Sequence, residues 1–188
     1  MGMEGVGARV ARKEDKRFIT GKGKYTDDMV VPGMKQAHFV RSPHAHAKIK
    51  SIDTSEAEKM PGVIGILNGN QLAEDAVGNI ICGWMIHSKD GSPMNMGAWR
   101  PLAQDTVRYV GDAVLIVVAD TKAQARDAAE AVVIEYETLP VVTSAVEALK
   151  DGAPQLHPEA KNNQIFDWEI GDSAAVDAAI ASAAHVTE

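Results

Sequence analysis

Apolar and polar positions alternate or cluster into short runs after residue 35, whereas before it they follow no period at all. Residues 1–35, rich in charge and glycine, therefore predict an extended arm with turns at Gly21-Lys22-Gly23 and Val31-Pro32-Gly33. Partial alternation predicts strands over 36–41 and 46–52, broken by Ser42-Pro43, with Ala47 and Ile49 inward and Lys48 and Lys50 outward. Asp53-Thr54-Ser55 can cap a short helix through residue 59, whose positive end suits Glu56 and Glu58, and Met60-Pro61-Gly62 stops it. A buried strand over 62–67 follows. The stretch 68–105 is irregular and too long for an idle connection.

Beyond it the pattern sharpens. Residues 106–110 read as a strand, Gly111-Asp112 as a turn, and 113–119 as a strand apolar on both faces. Thr121 and Gln124 form a capping-box pair opening an alanine-rich helix to about 131, and 132–137 reads as a strand returning to the same sheet. Leu139-Pro140 ends it, Ser144 starts a short helix, 151–163 is a polar loop, 165–170 is strand-like, and Asp172-Ser173 opens a helix to about 184. The final residues, His185 to Glu188, look like the start of a further strand, so the expectation is of a cut inside a larger polypeptide, with a surface tail as the alternative. This mixture predicts an α/β or α+β fold divided into an arm (1–35), a core (36–150) and a connecting segment of loop, short strand and helix (151–188).

The 188 residues suffice for one domain with a substantial core, and 45% of them are hydrophobic. Nineteen basic against twenty-six acidic residues give a net charge of −7, which disfavours nucleic acid as a partner. The lone cysteine, Cys82, lies in the apolar run Ile80-Ile81-Cys82-Gly83-Trp84 and is expected to be a buried thiol, which fits a reducing compartment. No apolar run approaches the roughly 20 residues of a membrane span, and Met1 to Gly7 shows no secretory pattern. The expected location is the cytoplasm.

Candidate chemistry is sparse. His44 and His46, two apart on a strand, would share a face, but neither spacing nor a nearby cysteine supplies a third metal ligand. Gly21-Lys22-Gly23 has no preceding strand and no third glycine at phosphate-loop spacing, so it reads as a turn. The paired carboxylates Glu14-Asp15 and Asp27-Asp28 sit among lysines on the arm and read as solvated or salt-bridged. Val110-Gly111-Asp112 suits either a tight turn or a close approach to a ligand. Ser88, Ser92 and Ser173 lack a nucleophile motif. Trp84, Trp99, Met85, Met94 and Met96 either line a ligand or partner surface or fill a core. No catalytic, cofactor-binding or metal residue is assigned.

One set of segments carries more. It comprises the stretch from Arg12 through Phe18-Ile19-Thr20-Gly21-Lys22-Gly23-Lys24-Tyr25-Thr26-Asp27-Asp28, then Val40-Arg41-Ser42-Pro43-His44-Ala45-His46-Ala47, and Met60-Pro61-Gly62-Val63. It continues with Val107-Arg108-Tyr109-Val110-Gly111-Asp112-Ala113-Val114, Val133-Ile134-Glu135-Tyr136-Glu137 with Leu139-Pro140, and Phe166-Asp167-Trp168-Glu169-Ile170-Gly171-Asp172. Taken in order, these resemble the molybdenum hydroxylases of the xanthine dehydrogenase and aldehyde oxidase family, and in look the large subunit of aerobic carbon monoxide dehydrogenase. The resemblance runs from about Gly7 to the end and is weakest between Asn68 and Asp105.

The resemblance implies the N-terminal α/β-hammerhead domain of the large subunit, a mixed sheet with a few short helices. It implies a whole enzyme that oxidises carbon monoxide, an aldehyde or an N-heterocycle with oxygen from water. Molybdopterin, expected in its cytosine dinucleotide form, would be held by later parts of the subunit, with iron-sulfur clusters and FAD on partner subunits or domains. This chain alone would be inactive, its task being to cover part of the catalytic domain, and no site residue carries over. The other reading is a free-standing binding module using segment 68–105.

Overall fold

The computed structural model describes residues 5–8 and 10–187, in two compact units, Met1–Lys35 and Gln36–Glu188. In the first unit the expected extended arm is interrupted by one helical turn, α1 (Asp15–Ile19), and by a 3-10 turn over Thr26–Asp28. Two ion pairs one turn apart support α1, Arg12 to Asp15 at 3.0 Å and Arg17 to Glu14 at 3.1 Å. The helix ends as local chemistry dictates. Gly21 takes φ +68°, its amide donates to Phe18 O at 3.1 Å, and the Lys22 amide donates to Arg17 O at 2.8 Å.

The second unit is built from six strands, β1 (Gln36–Arg41), β2 (Ala47–Asp53), β3 (Val63–Asn68), β4 (Thr106–Val107), β5 (Ala113–Ala119) and β6 (Val133–Thr138). They form two three-stranded sheets of antiparallel pairs, ordered β1-β5-β3 and β4-β2-β6. Helix α2 (Gly69–Glu74) follows β3, α3 (Lys122–Glu130) follows β5, α4 (Ala145–Ala148) lies beyond β6, and α5 (Ser173–Ala181) comes last. The α+β class with a few short helices is as the sequence predicts.

The core explains why β5 is apolar on both faces. Leu115 and Val117 pack with Ala57, Ala128 and Ala129 under α3, while Val114 packs with Ala47, Ala103 and Val107 towards the second sheet. Leu115, Val114, Val117 and Val107 are wholly inaccessible to solvent. Ile52 and Ile134, on paired strands, border both clusters.

Several expectations are corrected. The unit β5-α3-β6 does not return to one sheet. Both edges of β5 are taken, by β1 and β3, so β6 goes to the free edge of β2, where Glu137 also meets Lys48 and Lys50 at 3.9 and 3.5 Å. The strand expected over 106–110 pairs only at Thr106–Val107. The helix through residue 59 is a 3-10 turn over Ala57–Lys59, because Asp53 caps the amide of Ser55 instead of opening an α-helix. Segment 165–170 is not a strand. Its backbone bonds singly to the irregular loop, Asn95 N to Ile165 O at 2.8 Å and Lys89 N to Asp167 O at 2.7 Å. Helix α5 ends at Ala181, short of 184, and buries none of its residues. Among the described residues no helix is long and apolar enough to cross a membrane.

Candidate functional site

The irregular segment 75–105 lies against the loops 108–112 and 156–165, and together they enclose a cavity of about 650 Å³. That volume is in the range of small-molecule sites, roughly 300–1,000 Å³. Its wall is mostly apolar, with Ile80, Ile81, Met94, Met96, Trp99 and Leu156 among the lining residues.

Polar groups in the wall are largely committed to holding it up. Arg108 donates from Nε to Leu156 O at 2.8 Å and from Nη1 to Thr106 O at 3.3 Å, and its amide donates to Asp112 Oδ2 at 3.0 Å. Asn163, at φ +56°, donates from Nδ2 to Ala148 O and Pro154 O at 3.1 and 2.9 Å and accepts from Leu156 N at 2.9 Å. These bonds fix the loop that carries His157. That imidazole is half-buried and, among the described residues, its ring has no hydrogen-bond partner. Burial, and then the positive charge of Arg108, hold its pKa below the ordinary histidine value. Tyr109, also in the wall, is pushed up by burial and by the Asp112 carboxylate.

The residues singled out in the sequence fall in different places. His46 is 7% exposed and its Nδ1 sits 2.8 Å from Pro140 O; His44 lies in the loop before β2 and meets the Tyr136 ring edge-on at 4.9 Å. They do not share a strand face, since β2 begins at Ala47. Among the described residues no group of three or more His, Cys, Asp or Glu side chains is placed to hold a metal. The amides of Gly21 and Lys22 are spent on closing α1, so this turn presents no anion cradle. Glu14 and Asp15 are ion-paired, and Asp28 accepts the Tyr25 amide at 2.9 Å. Gly111, at φ +93°, makes a turn whose amide donates to Ser42 O at 2.8 Å, while Ser42 N donates to Asp112 O at 2.8 Å. Ser88 Oγ accepts the Asp167 amide, Ser92 bonds Asp90 at 2.6 Å, and Ser173 opens α5.

Of the tryptophan and methionine group, Trp99, Met94 and Met96 line the cavity, and Trp84 and Met85 do not; Trp84 is 81% exposed. Cys82 corrects an expectation, for it is exposed at the cavity wall, its Sγ 3.1 Å from Trp84 O. The run 80–84 is neither strand nor helix, and Ile80, Ile81 and Cys82 border the hollow instead of the core while Trp84 faces solvent. His157 and Asn163 are not singled out by the sequence, and Arg108 is marked there only as part of the Val107 to Val114 segment, with no role in a site. Nothing in their local spacing marks them, because they converge from loops some fifty residues apart.

Comparison with known proteins gives the family. A family model described as aldehyde oxidase and xanthine dehydrogenase, a/b hammerhead domain, matches residues 20–140. The chain is 36% identical to the carbon monoxide dehydrogenase large chain of Afipia carboxidovorans, over 99% of this chain and 23% of that protein. It is 39% identical to the nicotine 6-hydroxylase large subunit of Paenarthrobacter nicotinovorans, over 96% of this chain and 21% of that one. Among solved structures it superposes on the Cu,Mo-CO dehydrogenase in its carbon monoxide reduced state with a TM-score of 0.73 and 35% identity, covering 97% of this chain and 23% of the other. The chain thus spans less than a quarter of the length of these relatives.

Proposed function

We propose, from the premise that the chain belongs to the aldehyde oxidase and xanthine dehydrogenase family as its a/b hammerhead domain, that it is the non-catalytic scaffold domain of a molybdenum hydroxylase large subunit. One observation carries this reading. Large apolar side chains stand exposed along one stretch, Phe166, Trp168, Ile170, Val176 and Ile180, on a segment whose helix α5 buries nothing. Such a surface is costly in water and suits cover by further polypeptide. In the whole enzyme, the reading continues, iron-sulfur and flavin subunits accept the electrons and the substrate is carbon monoxide, an aldehyde or an N-heterocycle.

Molybdopterin, which the family implies, is poorly matched by the wall of this cavity. Arg108 is engaged by two carbonyls and Arg100 is paired with Asp105 at 3.5 Å, so the cavity wall offers a phosphate no free guanidinium. On this reading the cofactor is held by other parts of the subunit.

The test is to purify both the 188-residue chain and the complete large subunit with its partners, and to measure molybdopterin content and dye reduction with the three substrate classes. Turnover and pterin should be found only in the complete assembly. A folded, isolated chain that retains pterin or oxidises any of the three would overturn the proposal. The second reading, a binding module built on 68–105, is favoured by the cavity that this segment helps to line.

A further inference from the structure

We propose that the cavity between the 80–100 segment and the 156–165 loop is a binding site for a small, uncharged, planar aromatic molecule with one hydrogen-bonding group. This deepens the reading of 68–105 as a binding surface and is independent of the scaffold assignment.

Four observations lead there. The volume, about 650 Å³, accommodates one molecule of two or three fused rings and not a folded segment. Trp99, Met94 and Met96 in the wall are polarisable groups that favour a flat π-system over a branched aliphatic one, through ring stacking and sulfur contacts. The wall carries two cations and one anion, Arg100, Arg108 and Asp112, and each is engaged: Arg108 by the Leu156 and Thr106 carbonyls, Arg100 by Asp105 at 3.5 Å, and Asp112 by the Arg108 amide. A charged ligand would be desolvated there without a free counter-charge, which is unfavourable.

His157 supplies a polar handle whose ring has no hydrogen-bond partner among the described residues. A Cβ built on Gly97 would fall 2.8 Å from His157 Nδ1, so the bare backbone at Gly97 is what lets the ring lie close against it. Held neutral by burial and by Arg108, the imidazole can donate or accept one hydrogen bond without bringing charge.

Three probes of equal ring size separate these features: naphthalene, 1-naphthol and 1-naphthoate, each titrated by equilibrium dialysis against the complete natural polypeptide that carries this sequence. Saturable binding is expected for 1-naphthol, with naphthalene at least about fivefold weaker and 1-naphthoate at least about tenfold weaker. His157→Leu should remove the preference for 1-naphthol over naphthalene, and Ala98→Trp, which fills the hollow, should weaken both by about tenfold or more. A second measurement needs no variant. Cys82 lies in the same wall and is exposed, so saturating 1-naphthol should slow its alkylation by iodoacetamide at least about threefold, read by peptide mass spectrometry. Absence of saturable binding with Cys82 already unreactive would show the hollow covered in the complete protein, and would overturn the site. Binding indifferent to charge and to His157 would overturn the ligand class. Both results leave pterin content and turnover, the readouts of the scaffold reading, untouched.

Discussion

At the scale of single residues, His157 makes the clearest physical statement. Because burial and Arg108 lower its pKa in the fold, the unfolded chain takes up its proton first as pH falls. The stabilisation it contributes is complete above the ordinary value of 6.5 and is lost as pH drops from there towards the lowered folded value. The melting temperature should therefore fall as pH drops below about 6.5, and His157→Gln should flatten that limb of a calorimetric pH series. The depressed carboxyls of Asp53, held by the Ser55 amide and hydroxyl, and of Asp90, held by the Ser92 hydroxyl and amide, act in another window. Their contribution is present above 3.8 and lost as pH falls below it, a window that opens at a lower pH than that of His157.

Gly97 and Gly69 offer a paired test of close approach. A Cβ at Gly69 would sit 2.4 Å from the Ala103 carbonyl, which is backbone and cannot swing aside, whereas at Gly97 it meets a side chain that can. Gly69→Ala should cost about 1–3 kcal/mol in a denaturant titration, as overpacking does. Gly97→Ala should cost less and show its effect instead as a displaced His157 ring, visible as a changed imidazole chemical shift.

At the scale of elements, stability concentrates in β5. It is the middle strand of its sheet and divides its side chains between two clusters, so Leu115→Ala should destabilise by about 2–5 kcal/mol, the range for a buried leucine left as a cavity. Trp84→Ala, at a side chain 81% exposed, should shift the same unfolding curve by under about 0.5 kcal/mol. Helix α2 depends on its cap. Asn68 Oδ1 accepts from the amides of Asn70 and Gln71 at 3.0 and 3.1 Å, and Gln71 reaches back to the Asn68 amide at 2.9 Å. Asn68→Ala should therefore cost about 1 kcal/mol and fray α2 first, which amide exchange would register.

The same elements show what a sequence discloses. Strands β1, β2, β3, β5 and β6 were legible because alternation or unbroken apolar runs state their burial directly, and Thr121 and Ser144 were legible caps, each accepting an amide three residues on. Helix α2 was missed although Asn68 and Gln71 form a capping pair, because only six residues follow the cap and no apolar period accompanies them. The partner of β6 was misjudged because pairing is decided by which edges remain free, a property of the assembled sheets and not of any local pattern. The cavity was half legible. Its apolar side was marked by Trp99, Met94 and Met96, but its polar side is assembled from loops whose residues read individually as solvated.

At the scale of the whole molecule, the buried core is small beside what is left outside. Among the described residues the fully inaccessible large side chains number four, Leu115, Val107, Val114 and Val117, while Ile19, Val30, Trp84, Trp168 and Ile170 are all more than half exposed. Ile19 and Val30 belong to the first unit and Trp168 and Ile170 to the second, so each unit presents apolar surface of its own. If the scaffold reading holds, that surface is silent only in the complete subunit. Amides in 10–35 and 165–181 of the 188-residue chain alone should then exchange within seconds, because little packs over them, and the chain should bind an apolar dye such as anilinonaphthalene sulfonate. In the complete subunit the same amides should be protected by at least about a hundredfold and the dye excluded, while amides of β5 should differ little between the two, since its partners β1 and β3 lie within the chain. Protection of α5 in the isolated chain equal to that of β5 would mean that the exposed face needs no cover, and the case for a scaffold domain would lose its one carrying observation.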